Sequence, residues 1–556
     1  MGITALINKY TPTKKTEDLK EYFNISSDDE VALIVNNELS DYKAKIIDKK
    51  IYVDYKFVHD SLNSRFYWDA NENVLLYTTA SDIISAAADS NSYSVTKQTN
   101  DFGYPIVKAT SDSALIALDY VKQYSNITFK SYDDPARIVI TSKWDEIDSA
   151  TVSKSTQVRV KGGIKSPILK EVKKDDKITI LDSGDKWDKV ATEDGVIGYI
   201  KRKALSESKK TKLTNPDYEE ETFTHIKKDK DICLAWNQVT SQSANSKVPQ
   251  VISSTKGINV MSPTWFYLND NNGNLADIAS KDYVSYCHSQ GIEVWGLFSN
   301  LENTDVDAAY VLTHTSTRTT LINQIMSAAF NYELDGVNID FENITEAAYG
   351  DSYIEFIREL SIKCHNNGIS LSVDVTVPAS FNKFFNRSDM AKFADYIVIM
   401  GYDEHYKGSD AGSVSSIPWV TEGVESTLKE VPADQIILGM PFYTRIWELT
   451  PKEDDDAVTD TEDQSKYTVA SQVYSMDAAA AQLATNNATA ALDEKSGQNY
   501  AEWSASNKLY KVWLEDSTSL EKRLKLVDDN KLAGAAFWKL GFENSSVWDT
   551  VIKYLD

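Results

Sequence analysis

Beyond residue 230, short apolar runs alternate with stretches whose apolar residues recur at every third or fourth position, with glycines and polar turns between them. A short apolar run bounded by turn residues predicts a buried strand, and the longer three-and-four spacing predicts an amphipathic helix. Eight runs qualify as strands, at residues 232–236, 258–261, 292–299, 336–342, 369–377, 396–402, 436–442 and 534–540. Strands alternating with helices predict βα units around a parallel sheet, and eight such units predict a closed (β/α)8 TIM barrel. The helix between the fourth and fifth runs shows the wiring. Tyr353, Phe356, Ile357, Leu360 and Cys364 share one stripe, and Gly368 ends it.

The first 230 residues are patterned differently. Strand-like runs at 31–36, 51–54 and 74–78 alternate with short helical patterns, and a helix-like stretch at 114–124 precedes strand-like runs at 127–130 and 138–141. This predicts a small α+β region over residues 1–148, loosely duplicated. Residues 149–205 hold short β runs between turn signals, which predicts a small β-barrel. Residues 206–230 are polar and charged, with Pro216 and an acidic run at 219–221, and read as a linker to a barrel domain at 231–556. Between the seventh and eighth barrel strands an insertion at 451–499, with an acidic run at 453–456 and an alanine-rich stretch at 478–491, is expected to wall one side of a cleft.

Composition narrows the function. A chain of 556 residues predicts about three or four domains. The 58 basic and 83 acidic residues give a net charge of −25, which repels nucleic acid and anionic lipid. No apolar run is long enough to span a membrane. Residues 1–15 carry only a short apolar run at 3–7, so an export signal is expected to be absent or already removed. Cys233, Cys287 and Cys364 are too scattered for a disulfide framework or a zinc site. Cys287-His288 and Cys364-His365 each close a helix before a strand, which repeated architecture explains, since a histidine in a last helical turn favours the helix dipole. Neither a metal nor a cofactor is expected.

The candidate chemistry sits on the fourth strand. If residues 335–342 are extended, Asn338, Asp340 and Glu342 share one face while Val337, Ile339 and Phe341 line the other. Two partly buried carboxylates within each other's field raise the proton affinity of at least one of them, which is what a general acid needs at neutral pH. Strand ends at the carboxyl side of a TIM barrel are where such groups act.

Asp335, Gly336, Asp340 and Glu342 resemble the D-G-x-D-x-D-x-E signature of glycoside hydrolase family 18, the chitinase family. Asn338 stands where that family more often has an aspartate, and is expected to orient Asp340 by hydrogen bonding. Met400, Tyr402 and Asp403 resemble the family's M-x-Y-D segment, Tyr443 and Arg445 its P-F-Y-x-R segment lining the sugar cleft, and Trp538 the floor on which the reacting sugar stacks. The resemblance implies a substrate-assisted retaining glycosidase without an enzyme nucleophile. Glu342 would protonate the glycosidic oxygen, the 2-acetamido carbonyl would attack the anomeric carbon, Asp340 would orient the acetamido nitrogen and Tyr402 its oxygen. Asn338, Met400, Asp403, Tyr443, Arg445 and Trp538 would contact substrate.

Upstream, Asp185-Lys186-Trp187-Asp188-Lys189-Val190 and Gly195-Val196-Ile197-Gly198-Tyr199-Ile200 resemble bacterial SH3-like domains, which often attach hydrolases to cell-wall polymers. Asn36-Asn37 and Ile51-Tyr52-Val53 resemble the stalk module named after the amino-terminal domain of copper amine oxidases, a likeness that implies no oxidase. The closing run from Val512 to Glu543 looks most like the spore-cortex and cell-wall branch of family 18. The expected partner is therefore peptidoglycan, at the cell envelope or outside the cell. A chitinase or chitooligosaccharidase is the second hydrolase reading, and a non-catalytic glycan-binding envelope protein is the reading from another class.

Overall fold

The computed structural model describes residues 10–342, 344, 349–452 and 463–555. The acidic run at 453–456 and the apolar run at 3–7 lie outside the described residues. The chain divides into two compact units, Met1–Thr222 and Phe223–Asp556.

The first unit is built mainly of antiparallel β-structure. One seven-stranded sheet runs in the order Thr128–Tyr132, Arg137–Thr141, Glu30–Val35, Glu38–Ile47, Lys50–Asp54, Ala114–Ala117, Val107–Ala109. A five-stranded meander from Phe66–Asp69 to Gln98–Asp101 shares its apolar core. Where the sequence predicts a helix over 114–124, the structure starts with a strand: Ala114–Ala117 pairs with Lys50–Asp54 and Val107–Ala109, and only Leu118–Gln123 is helical. Ala114, Ile116 and Ala117 are fully buried in that core, so pairing and burial override local helix propensity. A second seven-stranded sheet runs from Glu146–Thr151 to Lys209–Lys212, so residues at the head of the expected linker form a strand paired with Glu146–Thr151.

The second unit is the barrel. Its strands are β1 (Ile232–Asn237), β2 (Val260–Leu268), β3 (Glu293–Ser299), β4 (Gly336–Asp340), β5 (Ser370–Thr376), β6 (Tyr396–Met400), β7 (Ile436–Pro441) and β8 (Gly534–Trp538). Each pairs in parallel with the next, and β8 returns to β1, so the sheet closes without a free edge. Seven of the eight coincide with the apolar runs of the sequence to within about two residues, while β2 overlaps the run at 258–261 only at its start and continues to Leu268.

Alternation along each strand sorts the side chains into two sets. Val337, Ile339, Leu371, Val373, Val375 and Ile399 point outward into the large core beneath the helices. Among those helices is α1 (Gly350–His365), whose Tyr353, Phe356, Ile357, Leu360 and Cys364 are all fully buried. Pointing inward, Leu234, Trp236, Trp295, Leu297, Tyr396 and Val398 fill one part of the barrel. The inward positions of β4 and β5 are different in kind: Asn338 and Asp340 on one, Ser370, Ser372 and Asp374 on the other, all buried. Gly336 is required at the bottom of β4, because a Cβ there would lie 2.5 Å from the Trp295 ring.

The paired Cys-His segments have a structural explanation. His288 Nε2 meets Asp335 Oδ2 at 2.8 Å and His365 Nε2 meets Asp395 Oδ1 at 3.0 Å. Those two aspartates sit just before β4 and β6, where they also accept the backbone N–H groups of Val294 and Leu371. Asp335 thus anchors the amino-terminal end of β4, away from the end where the carboxylates gather. The three cysteines are buried and free, and burial pushes the thiols of Cys233 and Cys287 up to about 12.

Between β7 and β8 the chain builds a five-stranded antiparallel sheet in the order Tyr467–Ser475, Tyr443–Pro451, Lys508–Leu514, Gln498–Ala505, Ala491–Asp493, with the alanine-rich stretch opening as the helix Met476–Thr485. A fully buried ion pair ties it to the barrel helices: Glu515, after the third of those strands, accepts from Arg523 Nη1 and Nη2 at 2.7 Å, and Arg523 Nη2 also donates to the Ser415 carbonyl.

Candidate active site

The carboxyl ends of β4 to β8 bring together most of the side chains that the sequence singles out. β4 ends at Asp340, and Glu342 follows it as an exposed residue, its backbone N–H donating to Asn300 Oδ1 at 3.0 Å. Asp340 is 8 % exposed, and its Oδ1 has no hydrogen-bond partner among the described residues. Tyr402, two residues past β6, stands edge-on to Trp236 and Tyr443 at centroid distances of 6.5 and 6.2 Å. Trp538, the last residue of β8, is half-buried and stands edge-on to Trp236 at 5.9 Å. Met400 ends β6 and is buried beside the same opening.

Tyr443 and Arg445 come from the first strand of the insertion to follow β7 and converge on Asp403. The Tyr443 hydroxyl donates to Asp403 Oδ1 at 2.5 Å, and Arg445 Nη2 lies 3.7 Å from the same oxygen. Arg445 also donates through Nη1 to Ser471 Oγ and lies over the Trp447 ring.

Asn338 shares the inward face of β4 with Asp340 and is fully buried, and its amide bonds other protein groups where a bond to Asp340 is expected. Its Oδ1 accepts from Trp236 Nε1 at 2.9 Å and Ser262 Oγ at 3.0 Å, and its Nδ2 donates to Ser372 Oγ at 3.0 Å and Asp374 Oδ1 at 2.7 Å. The inward pointing of β4 and β5 toward each other is the reason: Asn338 and Ser372 are direct partners in the parallel register.

Asp374 is the member of the cluster that sequence reading missed. It is 3 % exposed and stands one rung above that partnership, beside Asp340. The signal was present in the alternation of Ser370-Leu371-Ser372-Val373-Asp374-Val375, where polar residues take every inward position. Asn300 and Glu302, after β3, and the 78 % exposed Phe381, after β5, were also passed over. Phe381, Phe385 and Met400 line a pocket of about 150 Å³ with Glu342 and Asp374.

The electrostatics follow from burial without a counter-ion. Among the described residues no lysine, arginine or histidine pairs with Asp340, Asp374 or Glu342. Loss of solvent, then Asp374, Glu342 and Glu302, hold the Asp340 carboxyl well above the usual carboxylate range. Burial likewise raises Asp374, opposed by the hydrogen bond from Asn338. Glu342 is raised by the protein around its carboxyl, then by Asp403 and Glu302, although the residue itself opens to solvent. The Tyr402 phenol is pushed well up by burial and by Asp340, Asp374 and Glu342, so it stays a neutral donor. Such a site can hold a proton on a carboxyl at neutral pH, donate hydrogen bonds from a phenol and offer indole and phenol faces to a ring.

Residues 303–543 match the family model of Glycosyl hydrolases family 18. Over 301 residues the chain is 24 % identical to an uncharacterized glycosylase, YvbX, of Bacillus subtilis strain 168, covering 51 % of this chain and 81 % of the relative. Over 287 residues it is 25 % identical to the cortical fragment-lytic enzyme of the same organism, covering 50 % of this chain and 63 % of the relative. The crystal structure of the Bacillus cereus spore cortex-lytic enzyme SleL superposes with a TM-score of 0.52 at 19 % identity, over 60 % of this chain and 76 % of that one. A chitinase from Chromobacterium violaceum superposes with a TM-score of 0.50 at 20 % identity, over 58 % and 98 %. The solved structures share the (β/α)8 fold. Residues 303–543 carry the likeness to that family, and the match together with the glycosylase relatives supports a glycosidase.

Proposed function

We propose that the barrel hydrolyses β-1,4 linkages after N-acetylglucosamine in bacterial peptidoglycan by a substrate-assisted, retaining route. The observation that carries this reading is the placement of Glu342, open to the cleft, beside a buried Asp340 that no cation among the described residues pairs with, with Tyr402 and Trp538 around them. A carboxyl held neutral is the proton donor that a glycosidic oxygen requires as it leaves. In this reading no protein carboxylate attacks the sugar. The acetamido oxygen of the substrate does, steadied by the Tyr402 hydroxyl, while Asp340 accepts the acetamido N–H and stabilises the positive charge that develops there. The oxazolinium intermediate is then opened by a water that Glu342, now the base, deprotonates.

Met400, Asp403, Tyr443 and Arg445 would hold the sugar that Trp538 carries on its face. Asn338 has the supporting role its burial allows, fixing Asp374 and the inner layer under the site. Peptidoglycan is favoured over other N-acetylglucosamine polymers by the relatives among cortical fragment-lytic enzymes. A chitin-like substrate is the second reading, favoured by the likeness to a di-N-acetylchitobiase of Dictyostelium discoideum, 23 % identical over 252 residues. Residues 149–205 are proposed as an SH3-like module holding the enzyme on the cell-wall polymer and residues 1–148 as a stalk, which places the protein at the cell envelope or outside the cell.

Digestion of purified peptidoglycan and of soluble N-acetylglucosamine oligomers, with the new reducing ends identified by mass spectrometry, tests the reading. Muropeptides ending in N-acetylglucosamine are the expected products. Cleavage confined to the oligomers moves the substrate to chitin-like polymers, and binding without cleavage of either overturns the catalytic reading.

A further inference from the structure

Two buried carboxylates stand side by side in this barrel. β4 and β5 run parallel, with Asn338 opposite Ser372 and Ile339 opposite Val373, so the next rung sets Asp340 beside Asp374. Both side chains point inward, and neighbouring parallel strands lie only about 4.8 Å apart. Asp374 Oδ1 is held by Asn338 Nδ2 at 2.7 Å, whereas Asp340 Oδ1 is without a hydrogen-bond partner among the described residues. Among the described residues, the groups that face Asp340 are Asp374 on β5, Glu342 beyond its own strand, Glu302 beyond β3, and the phenols of Tyr353 on α1 and Tyr402 beyond β6, none of them a cation. Two carboxyls buried side by side disfavour double ionisation, so one of them keeps a proton.

We propose that Asp374 is the partner with which Asp340 exchanges that proton, a positioning residue that lets Asp340 meet the substrate as an anion and return to a neutral resting form. The inference rests on the hydrolase reading above and assigns a role to a residue outside it. At rest the amide of Asn338 favours charge on Asp374, so the proton sits on Asp340. When substrate enters, the Asp340 O–H bond breaks and an O–H bond forms on Asp374 Oδ2, since Oδ1 is occupied by the Asn338 amide. The charge moves to Asp340, which then accepts the acetamido N–H. The transfer reverses as product leaves, with no net gain or loss of protons. Asn338 makes the arrangement directional: a carboxylate at that position would compete for the same proton, and an amide cannot.

Infrared difference spectra across a pH titration read the pair directly, and steady-state kinetics read its use. Wild type should show a protonated carboxyl band at neutral pH that Asp374→Asn removes or shifts. Asp374→Asn should lower kcat about 100-fold with KM nearly unchanged, and should reshape the pH profile rather than scale it. The double variant Asn338→Asp/Asp374→Asn, which returns a carboxylate to the inner layer two residues before Asp340, should recover at least about a tenth of the lost rate. Absence of the band from wild type overturns the proposal, as does an Asp374→Asn enzyme with unchanged kcat and pH profile, or a double variant no faster than the single one. The band is read without substrate. A failed hydrolase reading therefore shows as silent turnover with a band that Asp374→Asn removes or shifts, and a failed pair as a band that Asp374→Asn leaves unchanged.

Discussion

The Tyr443 hydroxyl donates to Asp403 Oδ1 at 2.5 Å across the cleft, joining the insertion that follows β7 to the loop that follows β6. Asp403 adopts a left-handed φ of 61°, a conformation that aspartate tolerates better than most residues. The consequence is a fixed negative charge near Glu342, whose carboxyl it helps to hold above its ordinary range.

Asp403→Asn removes that charge, so the proton on Glu342 is lost at lower pH than in wild type. A general acid works only while protonated. The basic limb of the kcat profile is expected to move to lower pH, with the acidic limb little affected. A pH–rate series on a soluble N-acetylglucosamine oligomer checks this, and a basic limb that stays put or moves upward contradicts it.

Asp340 is expected to cost stability for the sake of its chemistry. Its folded-state proton affinity is raised, so the native protein keeps a proton that the unfolded chain, with an aspartate near 3.9, has released. Stability contributed by that proton is complete at low pH and is lost as pH rises through the folded value. Asp340→Asn should flatten that decline and raise the stability of the barrel unit by about 1–3 kcal/mol while abolishing turnover. Urea unfolding at several pH values measures both the offset and the slope.

The buried Arg523–Glu515 pair is expected to dominate the attachment of the insertion to the barrel. Both side chains are fully buried, and Glu515 also accepts from Gln498 Nε2 and Ser519 Oγ. Arg523→Met leaves the carboxylate without its counter-charge, a loss of about 3–5 kcal/mol. A lowered urea midpoint for the barrel unit is the predicted result, and a loss below about 1 kcal/mol would mean the pair behaves like a surface one.

Trp538 offers an indole face at the end of β8, supported edge-on by Trp236. Trp538→Ala is expected to lose about 2 kcal/mol of sugar contact, close to thirtyfold in kcat/KM, and Trp538→Phe to retain most of it. Kinetics on oligomers of increasing length separate this from a folding defect.

Much of the barrel was legible because parallel strands buried on both faces read as apolar runs, and β1 to β8 each left one. The position of a candidate site was legible where its residues lie at or just past strand ends, as Asp340, Glu342, Tyr402 and Trp538 do. Asp374 escaped because a single aspartate inside an apolar run gains meaning only from its neighbour one strand away, and register is not written in local sequence. The hydrogen bonds of Asn338 were not legible for the same reason: its partners Trp236, Ser262 and Asp374 come from three other strands. In the first unit, Ala114–Ala117 has helical composition and a strand's environment, and the environment decided.

Glu342→Gln keeps the shape of the side chain and removes the proton it donates. Wild type and variant should be incubated with purified peptidoglycan and with N-acetylglucosamine oligomers, and new reducing ends counted. The account predicts muropeptides ending in N-acetylglucosamine from the wild type, and a variant with turnover reduced by about 100-fold or more that still folds and still binds the polymer. A Glu342→Gln protein that cleaves at the wild-type rate would contradict it.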